Sequence, residues 1–317
     1  MIRYDIDNET SDPRRVVSDS SRRSIRARVL RALAAVACGA AVICFAAYRV
    51  DGYVLRTVAT TLTAPLANPD EKALALNHWI HAHLPTARNR GRFGWSRLRA
   101  TPVQVLDGGG DCADKSRLLS AMLRGIGIPS TMAMLFDPKT GNPTHTIVEA
   151  RVDENEYMVL DPSFDLSFPN ATHDGYLGLI DLRRDPGALH RRLAELQSTH
   201  VWPALCYFYP ESYAPYDRAS TVNWNKNVAT RWLGGALFAR AGDDIYHWAR
   251  PVVLEEPKLL AGLISLVLAG TLLITGRFAR RVVRRRGRVD AYAPETCFGS
   301  QITSPAEKTG PSVQHNR

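Results

Sequence analysis

The chain has 317 residues, 45% of them hydrophobic, enough to bury the core of one medium domain with appendages. Its formal net charge of +9 raises the class of nucleic-acid binders, and the distribution of that charge excludes it: residues 51–258 carry 22 Lys+Arg against 23 Asp+Glu, residues 1–50 carry 9 against 5, and residues 259–317 carry 9 against 3. A phosphate-binding face needs its cations on the folded domain. Here they lie in two tails, each beside a long apolar run, as membrane-flanking charge does.

Residues 1–28 are polar, include Arg14, Arg15, Arg22 and Arg23, and lack apolar periodicity, so a disordered tail is expected. Residues 29–50 read as a membrane span, because residues 32–48 are uncharged between Arg31 and Arg49 and the arginines can snorkel. A secretory signal competes, given Ala35-Val36-Ala37 and a lipobox-like run ending at Cys38. The polar region ahead is long for a signal and the run before Cys38 is short for an h-region, so an uncleaved anchor is expected.

Residues 51–258 form the next domain. Asn68-Pro69-Asp70-Glu71 starts a helix whose apolar stripe is Ala73, Leu74, Leu76, Trp79, Ile80 and Leu84. His78, His81 and His83 lie on or near it, and no nearby cysteine or HExxH pattern supports a zinc site, so they read as surface histidines. A basic loop over residues 86–100 holds Phe93-Gly94-Trp95, and Thr101-Pro102 opens a short helix through Leu106.

The stretch Gly108-Gly109-Gly110-Asp111-Cys112 then runs into Leu118, Leu119, Met122, Leu123 and Ile126, which recur at helical spacing. The pattern predicts a buried helix beginning at or near Cys112 and stopped by Gly125, Gly127 and Pro129. A cysteine in a first helical turn sits among unpaired N–H groups at the positive end of the dipole, a setting that favours thiolate over thiol. A buried cysteine in mid-helix would instead read as inert.

Three strands follow, over Ser130–Phe136, residues 144–152 and Tyr157–Asp161. In the second, Thr146, Val148, Ala150 and Val152 make one face and His145 starts the other. The second and third strands form an antiparallel hairpin, which brings His145 and Asp161 to one end. A base and its orienter are thereby supplied for a thiol nucleophile.

Asp185-Pro186 opens a further helix with Leu189, Leu193 and Leu196, and residues 199–250 are rich in Trp and Tyr without a placed chemistry. Asn170-Ala171-Thr172 fits a glycosylation sequon by too short a match to weigh. Residues 259–275 are the second span, preceded by Tyr246 and Trp248 and followed by seven arginines from Arg277 to Arg288 within an otherwise disordered basic tail, 276–317. Both arginine clusters then face the cytoplasm, and residues 51–258 lie outside a bacterial cytoplasmic membrane.

These residues resemble the transglutaminase-like superfamily of papain-like cysteine enzymes. The resemblance rests on Gly110-Asp111-Cys112 leading into Leu-Leu, Met-Leu-Arg and Gly-Ile-Pro, on His145 with Val148 and Glu149, and on Leu160-Asp161-Pro162-Ser163, in family order over about residues 70–165. It implies an α+β papain-like fold with Cys112 as nucleophile, His145 as general base and acid, and Asp161 as orienter. It also implies an oxyanion donor upstream of the Cys112 N–H, for which Gln104 and Trp95 are the candidates. Similar bacterial periplasmic peptidases carry an acidic residue after the cysteine and use neighbouring carboxylates for calcium. Ala113 stands there in this chain, so neither a metal at Asp111 and Asp114 nor any cofactor is expected.

Cys206 is the one other cysteine expected outside, and a Cys112–Cys206 disulfide would silence the nucleophile. The whole reads as a membrane-anchored enzyme acting on amide bonds of an envelope protein or peptide. Its alternative is a non-catalytic scaffold using the same cleft to bind an envelope protein or polymer.

Overall fold

The computed structural model describes residues 13–87, 100–198, 216–246 and 248–291. The chain divides into a unit of residues 34–269 and a unit of residues 1–33 with 270–317. Helix α1 spans Pro13–Thr63, longer at both ends than the predicted 29–50. Residues 13–28, expected to be a tail, are therefore helical. Pro13 suits a first helical position, and from Arg14 to Thr63 only Gly39 and Gly52 weaken the run, so a helix nucleated in the apolar stretch propagates through its polar flank.

The C-terminal half of α1 is a part of the folded domain, because Leu55 and Ala59 enter its core. Within α1, residues Ile25–Thr63 contain a window of mean hydropathy 2.2, as do residues Pro257–Ala279 near the C-terminus, and both segments are long and apolar enough to cross a membrane.

Helix α2 (Pro69–His83) begins after Asn68 and buries Ala73, Leu76 and Ile80, the predicted stripe. Helix α3 (Pro102–Gly108) starts after Thr101, whose N–H donates to the Gln104 side chain. Helix α4 (Cys112–Gly125) starts at the cysteine, as its pattern predicts. Strands β1 (Ser130–Phe136), β2 (Pro143–Arg151), β3 (Tyr157–Asp161) and β4 (Leu166–Ser167) form one antiparallel sheet in the order β1-β2-β3-β4.

One face of the sheet, through Val148, Ala150, Met158 and Leu160, packs in a cluster with Leu118, Leu119, Met122 and Leu123 of α4 and with α2 and α1. The other face, through Ala133, Leu135, Ile147 and Val159, is covered by α5 (Leu179–Arg184), α6 (Ala188–Ser198) and Tyr216 of a 3-10 turn. Residues 145–150 of β2 are consequently all buried. The sequence shows only one face of this strand as apolar, because the second is built around His145 and Glu149. Asp185 caps the C-terminus of α5 and its Oδ1 accepts from Gly187 N–H at 3.1 Å just ahead of α6, which begins at Ala188.

Helix α7 (Val228–Ala241) leads through a 3-10 turn, Gly242–Tyr246, to α8 (Val252–Glu255) and α9 (Pro257–Ala291). Helix α9 runs well past the predicted end at residue 275, into the arginine-rich stretch expected to be disordered.

Buried Glu149 fastens α5 to the sheet by accepting a 2.8 Å hydrogen bond from the Leu179 N–H. Burial pushes its carboxyl up to about 7, helped by Asp181 and opposed by that hydrogen bond. The folded protein therefore holds a proton that the unfolded chain releases from about pH 4.5, and stability falls as pH rises from there through 7. The shift corresponds to on the order of 3 kcal/mol. Glu149→Gln keeps an acceptor for Leu179, so it is expected to raise the melting temperature at pH 8 and leave it nearly unchanged at pH 5. Equal shifts at both pH values would refute this.

Candidate active site

The loop before α4 is pinned to the end of α2. Gly110 N–H donates to the Pro85 carbonyl at 3.2 Å and Ala87 N–H to the Gly110 carbonyl at 3.2 Å. At Gly109, φ is +71° and a Cβ would lie 2.2 Å from the Pro85 oxygen, so only glycine fits. Asp111 caps the helix, its Oδ1 accepting from Asp114 N–H at 3.0 Å, while Lys115 N–H donates to the Asp111 carbonyl. The first-turn N–H groups of Cys112 and Ala113 have no protein acceptor among the described residues.

Side chains on the same turn bolt α4 in place. Asp114, fully buried, pairs with the Arg117 guanidinium at 2.9 Å, and Arg117 also donates to the Ala100 carbonyl. Ser116 Oγ donates a buried 2.8 Å hydrogen bond to the carbonyl of Thr146, the residue after His145. Lys115 is buried beside Asp161; burial lowers its pKa and the Asp161 charge partly offsets this.

In the β2–β3 ladder Val148 faces Leu160, so continuing the register sets Ile147 opposite Asp161. His145 is then a diagonal neighbour of Asp161 on the same face. His145 Nε2 lies 2.6 Å from Asp161 Oδ2, and both side chains are fully buried. Asp161 Oδ1 accepts from Ser163 N–H at 3.0 Å, and the Phe164 ring lies 5.7 Å from the imidazole.

The Cys112 side chain lies close enough to the imidazole to favour its charged form, and the ring's Nε2 faces Asp161. Burial opposes the imidazolium, but the Asp161 charge and hydrogen bond and the Cys112 contact outweigh it, and the His145 pKa rises to about 10.

The structure thus brings Cys112, His145 and Asp161 together. Trp95 lies outside the described residues, as do Cys206 and Cys297. Gln104 is used otherwise than sequence suggested: its Oε1 accepts from Thr101 N–H at 3.1 Å and caps α3. Asp111 and Asp114 serve the helix start, and no group of three or more His, Cys, Asp or Glu able to hold a metal ion occurs among the described residues. His78 contacts Asp165, His81 the Ser163 carbonyl, and His83 the Trp79 carbonyl. Sequence reasoning passed over Lys115 and Ser116, although their spacing of three and four residues from Cys112 sets them on its face of the helix.

The fold therefore places a thiol at the start of α4 and a buried imidazole–carboxylate pair on β2 and β3. Residues 56–162 match the family model of the transglutaminase-like superfamily, so this part of the chain is a transglutaminase-like domain. No curated protein matches the chain.

Among solved structures, a candidate cysteine protease from Cytophaga hutchinsonii is similar at 19% identity over 35% of this chain and 37% of that one, with a TM-score of 0.29. A candidate protease from Parabacteroides distasonis is similar at 22% identity over 37% of this chain and 27% of that one, with a TM-score of 0.28. EGTA-treated LapG of Legionella pneumophila is similar at 17% identity over 41% of this chain and 72% of that one, with a TM-score of 0.29. The match thus spans well under half the length of the first two proteins.

Proposed function

We propose that this protein is a two-pass membrane enzyme whose transglutaminase-like domain, outside a bacterial cytoplasmic membrane, attacks amide carbonyls of an envelope protein or peptide. The observation that carries the reading is the buried His145–Asp161 contact of 2.6 Å against a thiol at the start of α4.

The Cys112 sulfur, as thiolate, attacks the carbonyl carbon; its proton rests on His145 as imidazolium, held in tautomer and orientation by the Asp161 carboxylate. The oxyanion forms near the Cys112 N–H at the positive end of α4. His145 then gives its proton to the departing amine as the C–N bond breaks, leaving a thioester. For the second half, His145 takes a proton from water, giving hydrolysis, or from an amine, giving acyl transfer, and thiolate leaves.

The membrane location is supported by the two apolar segments and by arginines beyond each of them. Full-length protein is expected to cleave or cross-link members of a panel of envelope peptides and to lose that activity on iodoacetamide treatment. A reporter active only outside is expected to work when fused near residue 200 and to fail near residues 20 and 300. A working reporter at either end overturns the topology. Unlabelled Cys112 and no turnover on any peptide would favour the scaffold reading.

A further inference from the structure

Helix α7 inverts the usual arrangement of a surface helix. Such helices turn their apolar stripe inward and their polar face to water. In α7 only Gly234 is buried, close against Trp224, where a Cβ would meet the Trp224 Cβ at 3.0 Å. On the opposite side Val228, Trp232, Ala236 and Ala239, spaced by four, four and three residues, form one outward stripe. Val228 is 79% exposed and Trp232 75%, with Leu233 and Phe238 each at 44%. The only charged residues of the helix are Arg231 and Arg240, both exposed, one on each flank of the stripe.

The apolar surface continues along the chain. Phe238 contacts Tyr246, with ring centroids 5.9 Å apart, and exposed Trp248 and Leu254 follow before Pro257 opens the apolar α9. The first acidic residues, Asp243 and Asp244, come in the turn after α7, and Asp243 lies 3.5 Å from Arg184. An apolar face of this size left to water is unfavourable, and exposed patches of this kind mark a contact surface.

We infer that α7 lies in the outer surface of the bilayer, with Val228 and Trp232 seated at the boundary of headgroups and acyl chains and Arg231 and Arg240 reaching anionic headgroups. Tryptophan and flanking arginines suit that depth, and the apolar α9 that follows supplies the adjoining membrane contact. The transglutaminase-like domain is then held on the membrane surface as well as tethered to it. The inference rests on the proposal that α1 and α9 cross a membrane.

The test uses full-length protein in nanodiscs of phosphatidylcholine and phosphatidylglycerol, with the phosphatidylcholine brominated either near the headgroup end of its chains or near the terminal methyl. The emission that distinguishes wild type from Trp232→Phe is expected to be largely lost with the shallow bromines and largely kept with the deep ones. Emission unaffected by either lipid overturns the inference. If Trp232→Cys then forms a disulfide between copies, the face is a contact between chains; if it does not, another part of this chain, such as residues 199–215, covers it. A protein that stays dispersed in buffer without lipid overturns both this inference and the membrane reading, and leaves the Cys112 chemistry to be judged by iodoacetamide labelling.

Discussion

Asp161→Asn is expected to lower turnover by ~10³–10⁴-fold, since a neutral amide neither fixes the tautomer nor stabilises the imidazolium. It is also expected to move the pH profile. In the wild type the imidazolium titrates near 10, held up chiefly by the Asp161 charge against the pull of burial, so activity falls on the alkaline side as His145 loses its proton there. Without that charge, the alkaline limb moves down toward the ordinary imidazole range. The same linkage reaches stability: because the folded pKa lies above the unfolded 6.5, the contribution of His145 is complete below pH 6.5 and lost as pH rises through about 10.

His145→Ala removes base and acid together, at a cost of ~10²–10⁴-fold in turnover, and slows iodoacetamide labelling of Cys112 at pH 6 by removing the adjacent cation. An unchanged labelling rate in His145→Ala, with an unmoved alkaline limb in Asp161→Asn, would sink the triad reading.

The second large effect is on stability. Arg117→Met leaves Asp114 as a charge in a fully buried site beside the first turn of α4. Breaking such a pair from one side costs ~3–5 kcal/mol, because the remaining charge stays desolvated. Denaturation of the detergent-solubilised chain is expected to show that loss, with slowed Cys112 labelling as the helix start loosens. Adding Asp114→Asn to Arg117→Met removes the buried charge that has lost its Arg117 partner and is expected to recover a large part of the stability. If the double variant is as unstable as Arg117→Met alone, the loss comes from missing side-chain packing, and the charge argument fails.

What the sequence determined by itself was whatever depends on neighbours along the chain. The glycine run before Cys112 and the helical spacing of Leu118, Leu119, Met122 and Leu123 fix a helix start at the cysteine. The hairpin order brings His145 and Asp161 to one end of the two strands, and the apolar runs with their arginine flanks stand out by composition. Tertiary structure alone decided the rest, because it depends on contacts between distant segments. The α1 helix does not stop where its apolar run ends, since Leu55 and Ala59 enter the buried core cluster. Both faces of β2 are buried, because short α5 and the helix α6 close over the polar-looking side. The two-residue β4 is too short to carry a period. Ser116 ties α4 to β2 by donating to the Thr146 carbonyl across 30 residues of chain, and a local pattern holds no record of a hydrogen bond of that span.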